Sequence, residues 1–295
     1  MSRSFRCLRE RVTSEDFKLV KLASGVHSVH ALKYGETFHP VVGPVAEAEA
    51  LYVRQLNLTE RRRKAREEFV IWDIGLGAAA NALTALRSIR DLHGKVRMIS
   101  FDYTVAPLQF ALKHAEALGY FNGYGPVLEE LARSGAVTFP DGAQNVNWLL
   151  QLADFPTFLQ TAAAAQLPKP HAILFDAFSP ARNPAMWTEP LFASIYKLLD
   201  PARPCALATY SRSTLLRVTL LLAGFYVGAG HATGEKEETT LAANDLELLA
   251  EPLGADWLRR ARNSTSAEPL TEARYRQMPL TPTTWDRLKA HAQFQ

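Results

Sequence analysis

Cysteine is nearly missing from this chain: Cys7 and Cys205 are the two it has in 295 residues. Two thiols without metal-ligand spacing exclude a disulfide framework and a cysteine-built metal centre. Long apolar runs are missing too. The longest, Val218 to Gly230, falls well short of the ~20 residues that a membrane-spanning helix needs. A charge interrupts every apolar stretch near the N-terminus, which excludes a secretory signal core. Charge of one sign is also in short supply, since 33 Lys and Arg stand against 30 Asp and Glu for a net charge of +3. That balance permits a polyanionic partner without requiring one. Repeats and low-complexity stretches are absent, and 16 Gly and 17 Pro are scattered along the chain, so disorder, collagen and coiled coil are excluded. The expectation is a cytoplasmic globular protein with no membrane partner and no metal.

What is present is a run of alternating strand-like and helix-like segments. Phe69-Val-Ile-Trp-Asp-Ile74 is a β-rich apolar stretch of the kind a buried parallel strand needs, and helix formers follow over 78–89. The pattern returns with Val96–Asp102 before a helix over 105–118, Trp148–Ala153 before one over 155–165, Ala172–Asp176 before one over 191–199, and Cys205–Thr209 before one over 214–222. Five such units in a row predict an α/β fold with a doubly wound, mainly parallel sheet. Gly224–Gly228 and Thr239–Ala242 are joined by a polar turn too short for a crossover helix, which predicts that the sheet ends in an antiparallel hairpin. The resulting expectation is a seven-stranded, Rossmann-like sheet over residues 67–250, flanked by an N-terminal extension (1–66) and a C-terminal tail (251–295). Lys and Arg outnumber Asp and Glu in both flanks, and the segment between them is net negative. Arg61-Arg-Arg-Lys-Ala-Arg66 is the one dense basic cluster, to be read either as the solvated end of a helix from about Pro44 or as a phosphate-binding patch.

Several residues carry chemistry. In Asp73-Ile-Gly-Leu-Gly-Ala-Ala-Ala-Asn81, Gly75 and Gly77 allow a tight strand-to-helix turn and a close backbone approach to a ligand. A dinucleotide site would want a third glycine where Ala78 to Ala80 stand, and Asp73 would repel a phosphate. The loop suits a cationic or hydroxyl-bearing ligand such as S-adenosylmethionine. Asp102 closes the second strand, where a carboxylate accepts hydrogen bonds from ribose hydroxyls; that position is shared by nicotinamide and adenosylmethionine sites. Asp154 is placed either to accept from an adenine amino group or to cap the helix beginning at Phe155. The segment Asp176-Ala-Phe-Ser-Pro-Ala-Arg-Asn-Pro-Ala-Met-Trp187 leaves the fourth strand at the ligand-binding edge of such sheets. Its acid, aromatic and prolines read as a rigid substrate wall, with Trp187 packed beneath it and Thr188 capping the next helix.

The loop from Asp176 to Trp187, together with Trp72-Asp-Ile-Gly-Leu-Gly77, Gly25-Val-His-Ser-Val-His30, Tyr34-Gly-Glu-Thr-Phe-His39 and Ala208-Thr-Tyr-Ser211, closely resembles the methyltransferase half of the bacterial bifunctional enzyme that completes 5-methylaminomethyl-2-thiouridine at the tRNA wobble position. The resemblance covers roughly residues 20–245. It implies a class I S-adenosylmethionine-dependent methyltransferase acting on tRNA, with no segment matching the oxidase half, hence a stand-alone member. By position it implies that Asp73, Gly75, Gly77 and Asn81 line the methionine end of the cofactor, Asp102 the ribose and Asp154 the adenine. Asp176 aligns with the catalytic acid, and Phe178, Ser179 and Pro180 with the wall of the uridine pocket. Tyr34, Glu36, His39 and Glu47 match a motif that closes over the cofactor. Two departures stand out: Ala79 replaces the last glycine of the first loop, and the hairpin motif Gly234-Glu-Lys-Glu-Glu-Thr-Thr240 is acidic where the family is basic. Two rival readings are an aminopropyltransferase of polyamines and an inactive nucleoside- or RNA-binding module. The first would want a second acid beside Asp176; against the second, all three strand-end acids are retained.

Overall fold

The computed structural model describes residues 12–232 and 238–295; Cys7 and most of the acidic hairpin motif lie outside the described residues. Among the described residues, eleven strands form two sheets. β1 (Phe17–Lys21), β2 (His27–Ala31) and β3 (Glu36–Thr37) make a small antiparallel sheet. The other eight, β4 (Phe69–Ile74), β5 (Gly94–Asp102), β6 (Ala136–Asp141), β7 (Gln144–Leu152), β8 (Ala172–Phe175), β9 (Ala206–Thr209), β10 (Tyr226–Gly230) and β11 (Thr239–Ala243), are ordered β10-β11-β9-β8-β4-β5-β7-β6. The five central strands run parallel, and β10 and β11 form the expected antiparallel hairpin beside β9. The sheet thus has eight strands instead of seven. The added one, β6, pairs antiparallel with β7 at the edge. Pro140 within it is tolerated because an edge strand can leave one side of its backbone without a ladder partner.

β4 is buried at all six positions, as a central strand covered on both faces must be. Its side chains divide between two apolar layers. Phe69 and Ile71 join the layer containing the helix Ala80–Ile89 and the N-terminal region, and Val70, Trp72 and Ile74 join the layer containing the helices Glu189–Leu198 and Thr214–Leu222. A fully buried large apolar side chain contributes roughly 1.5–3 kcal/mol, so these alternating residues fix the strand between its covering helices. The C-terminal segment is part of this second layer and not a loose tail. Leu253, Trp257, Leu270 and Leu288 are buried in it. The side chain of Gln293 exchanges hydrogen bonds of 2.7 Å with both the backbone N–H and C=O of Val227.

The basic cluster is divided: Arg63, Lys64 and Arg66 are exposed at and just past a helix end, as the first expectation has it, whereas Arg61 and Arg62 are not. The helix from Pro44 is interrupted: Pro44–Ala48 passes into a π-helical stretch, Glu49–Arg54, and a new helix, Leu58–Lys64, starts after Asn57 in a left-handed conformation. Arg62 is buried and donates to the carbonyl of His93 at 2.6 Å, while Arg61 donates to the carbonyls of His171 and Pro204. The His93 and His171 carbonyls immediately precede β5 and β8, and the Pro204 carbonyl lies two residues before β9. The two guanidinium groups therefore tie together the amino edge of the parallel sheet, where entering chain segments present carbonyls with acceptor capacity to spare. They are committed to backbone and lie at the opposite edge from the ligand-binding one.

Candidate active site

Ligands of open α/β sheets bind beyond the carboxyl ends of the strands, where the strand order reverses. Here the order reverses around β4, with β8 on one side and β5 on the other. A cavity of about 650 Å³ opens at that point, lined by residues just past β4, β5, β7, β8 and β9 and roofed by residues 34–40. Gly75, Gly77, Asn81, Asp102, Asp154, Asp176, Phe178, Ser179, Tyr34 and Glu47 all line it. Asp73 and Pro180 do not.

The first loop takes its shape from positive backbone angles at Gly75 (φ 95°), Gly77 (φ 52°) and Ala79 (φ 65°). A Cβ on Gly75 would stand 2.6 Å from the backbone oxygen of Asp176, so glycine there lets two strand ends close on one another. Ala79, the departure from the family pattern, keeps the left-handed conformation despite its side chain, at a cost of roughly 1–2 kcal/mol. The loop is also held by Asp102, whose carboxylate accepts the Gly77 N–H at 2.9 Å and the Thr104 N–H at 3.2 Å. Burial raises the Asp102 pKa, opposed by those backbone donors.

Asp73 lies beneath this loop, not in the cavity wall. It is fully buried, accepts from Ser100 Oγ at 2.7 Å, and Ser100 in turn accepts from the indole of Trp148 at 2.9 Å. The methionine-end role that the resemblance implies for it is thus not a direct lining role. Burial, opposed by the Ser100 bond and aided by the charges of Asp176 and Asp102, pushes its pKa up to about 7. An acid with a raised folded pKa costs stability as pH climbs from its unfolded pKa to its folded one, because the unfolded carboxyl ionises first. Asp73→Asn is accordingly expected to gain about 3 kcal/mol relative to the parent between pH 4 and pH 7. Thermal melts of both proteins across that range check this, and a constant difference would refute it.

At the other end, Asp176 sits in a polar cluster. Asn81 Nδ2 donates to Asp176 Oδ2 at 2.7 Å, and His39 Nε2 lies 2.8 Å from Asn81 Oδ1 and 3.4 Å from the same Asp176 oxygen. Tyr52, from the π-helical stretch, and Tyr210, just past β9, complete the surroundings. Burial first and the negative charge of Asp176 second push both phenols well above their ordinary range. Tyr210 donates to the carbonyl of Ala177 at 3.0 Å. The sequence assigns neither tyrosine a role, although Tyr210 stands in the segment 208–211, one residue beyond a strand end.

The roof is bonded to the Asp176 loop. Glu36 accepts from Ser179 at both the backbone N–H (3.1 Å) and the hydroxyl, and Tyr34 stacks on Phe178 with ring centroids 4.1 Å apart. Trp187 packs beneath the loop, fully buried, and donates to the Phe178 carbonyl at 2.7 Å; Thr188 caps the next helix. Glu47 Oε1 accepts N–H groups from Val41, Val42 and Gly43, which fixes the segment following the roof. Asp154 occupies the N-cap position of the helix Phe155–Phe158, where its side chain accepts from the Thr157 hydroxyl at 2.7 Å instead of capping a backbone N–H.

The lining discriminates among ligands. Glu36, Glu47, Asp102, Asp154 and Asp176 face the cavity, and among the described residues that line it there is neither Lys nor Arg. The Gly77 N–H that a pyrophosphate would need is already given to Asp102. This wall repels a dinucleotide and suits a ligand carrying positive charge, as the ammonium and sulfonium of S-adenosylmethionine do. Asp102 and Asp154 would hold its nucleoside end. No group of three or more His, Cys, Asp or Glu arranged to hold a metal occurs among the described residues, and none of their helices is long and apolar enough to cross a membrane.

Comparison with known proteins agrees with this reading. Residues 128–245 match a family described as S-adenosyl-L-methionine-dependent methyltransferase. The chain is 29% identical over 206 residues to the bifunctional protein MnmC of tRNA 5-methylaminomethyl-2-thiouridine biosynthesis from Burkholderia mallei, covering 65% of this chain and 30% of that protein. It is 28% identical over 251 residues to the MnmC of Methylibium petroleiphilum, covering 81% and 36%. The chain thus spans about a third of the length of these relatives. In fold it resembles the crystal structure of MnmC2 from Aquifex aeolicus, with a TM-score of 0.68 and 23% identity over 92% of this chain and 84% of that one.

Proposed function

We propose that this chain, which carries an MnmC-like S-adenosyl-L-methionine-dependent methyltransferase domain, methylates the 5-aminomethyl nitrogen of a uridine or 2-thiouridine at the tRNA wobble position. The observation that carries the reading is Asp176: a carboxylate at the end of β8, inside the cavity, beside the aromatic pair Tyr34 and Phe178. When bound, S-adenosylmethionine supplies an electrophilic methyl carbon. The residues of this chain then have to bring an amine to that carbon in line and exclude water. Asp176 accepts a hydrogen bond from the amine and so aims its lone pair. The roof over 34–40 acts as a lid that keeps the cavity dry, and Tyr34 with Phe178 offers the flipped base a stacking surface. A wobble base lies in a single-stranded loop, so extruding it costs little.

The substrate end favours one amine over a polyamine. Of its two acids, Glu36 is already engaged by Ser179 through both oxygens, which leaves Asp176 to receive a single nitrogen. Phosphates of the tRNA are met by surfaces other than Arg61 and Arg62, since those two serve the far edge of the sheet. The same reading places the protein in the cytoplasm.

The test is to incubate the purified chain with methyl-labelled S-adenosylmethionine and tRNA from cells lacking this methylation, then digest to nucleosides. Label is expected in one nucleoside, 5-methylaminomethyl-(2-thio)uridine, with binding that weakens steeply as salt rises. Label on a polyamine, on another nucleoside, or nowhere would overturn the proposal.

A further inference from the structure

Asp176 poses a chemical difficulty. A primary amine is protonated at neutral pH, and a lone carboxylate beside it stabilises that ammonium form, which has no lone pair with which to attack. The surroundings of Asp176 answer this. Nε2 of His39 faces two acceptors, Asn81 Oδ1 at 2.8 Å and Asp176 Oδ2 at 3.4 Å. The amide of Asn81 is oriented by its own donation to Asp176 at 2.7 Å, so its oxygen must face the ring. Nε2 therefore carries a proton whatever the charge of the imidazole. His39 also bears two costs: a left-handed backbone at φ 50° and a buried Nδ1 with no hydrogen-bond partner. Strain and an unpaired polar atom held together at one cavity-lining residue point to a function.

Resting on the reading of Asp176 as the group that receives the amine, we infer that His39 is a positioning residue: its imidazolium clamps the Asp176 carboxylate and offsets its charge, so that the substrate amine is bound unprotonated. The ionisable groups acting on His39 are Asp176 on the β8 loop and Glu47 on the helix Pro44–Ala48. Behind Asp176 lie Asp73, Tyr52 and Tyr210. Burial draws the His39 pKa down, but the hydrogen bond and charge of Asp176, with Glu47 and Asn81, more than restore it, and it lies above its ordinary value. The amine gives its proton to bulk water before attack. Its lone pair then forms the C–N bond as the C–S bond breaks, the sulfur keeping the bonding electrons, and the product ammonium loses its second proton to water.

Two measurements test this. The first is the pH profile of single-turnover methyl transfer for the parent and for His39→Gln, which keeps an amide donor but no charge. Without the neighbouring cation the bound amine holds its proton more tightly, so the rising limb should move upward by about one pH unit, with the rate recovering at high pH. A rate reduced by the same factor at every pH, with an unmoved midpoint, would mean that His39 only supports the fold. The second is the titration of His39 by NMR in the ligand-free protein and in Asp176→Asn. A value above the ordinary histidine range that falls in the variant supports the clamp; a neutral His39 at pH 7 in the parent overturns it. If the parent methylates no tRNA amine at all, the functional reading fails, whereas normal transfer with an unshifted His39→Gln profile sinks this inference alone.

Discussion

Asp176→Asn is expected to slow single-turnover methyl transfer by about 10²-fold or more, the scale of a nucleophile no longer held in line, while S-adenosylmethionine affinity changes by less than about threefold. The asparagine has nearly the same shape, but it presents one neutral acceptor and one donor where the carboxylate presents two acceptors. Asn81 and His39, both donors toward Oδ2, lose the charge that gathers them, and the amine loses its acceptor. The end of the cavity past β5 and β7, where Asp102 and Asp154 are proposed to take the nucleoside, is untouched. Rapid-quench kinetics with calorimetric titration of the cofactor separates the two effects. Turnover within a few-fold of the parent would remove Asp176 from the mechanism.

Gly75→Ala is expected to be nearly as damaging by a different route. The added methyl group would meet the Asp176 carbonyl oxygen at 2.6 Å, at a backbone φ of 95° that side chains rarely adopt. Such a conformation alone costs roughly 1–3 kcal/mol, and the contact can be relieved only by driving the ends of β4 and β8 apart. A loss of about 3 kcal/mol should lower the melting temperature by roughly 5 °C for a chain of this size. An acid displaced by even 1 Å should cost about 10²-fold in rate. Melting and rate measured on one preparation check both. A variant with the stability and turnover of the parent would show that the two loops do not need this close approach.

The strands were the most legible part of the molecule. β4 coincides with its predicted bounds because six apolar-rich residues buried on both faces leave no other reading, and Ser213 caps the helix Thr214–Leu222 where the pattern begins. β6 was missed because Pro140 argues against a strand, and an edge position that excuses proline is a property of the assembled sheet. β1 and β2 were missed because charged and histidine residues interrupt their short apolar alternation. The carboxyl-edge acids Asp102, Asp154 and Asp176 were legible from their positions after strands. Asp73 follows a different rule, since alternation within β4 turns it into the sheet, onto Ser100. Arg61 and Arg62 look like surface charge in sequence, and only the fold reveals the backbone carbonyls they serve. The cluster around Asp176 draws on residues 39, 52, 81 and 210, which no local pattern links.

The bond between Glu36 and Ser179 joins residues 143 positions apart. On a ribosome, the segment that will cover the cavity emerges early and has nothing to cover until the chain has grown past Ser179. Chain closure over that span costs entropy that local pairing cannot repay. The small sheet β1–β3 can form at once, but the pocket beneath it can be completed only after Ser179 has emerged. A nascent chain arrested before Ser179 would therefore bind neither donor nor acceptor, however complete its first eight strands.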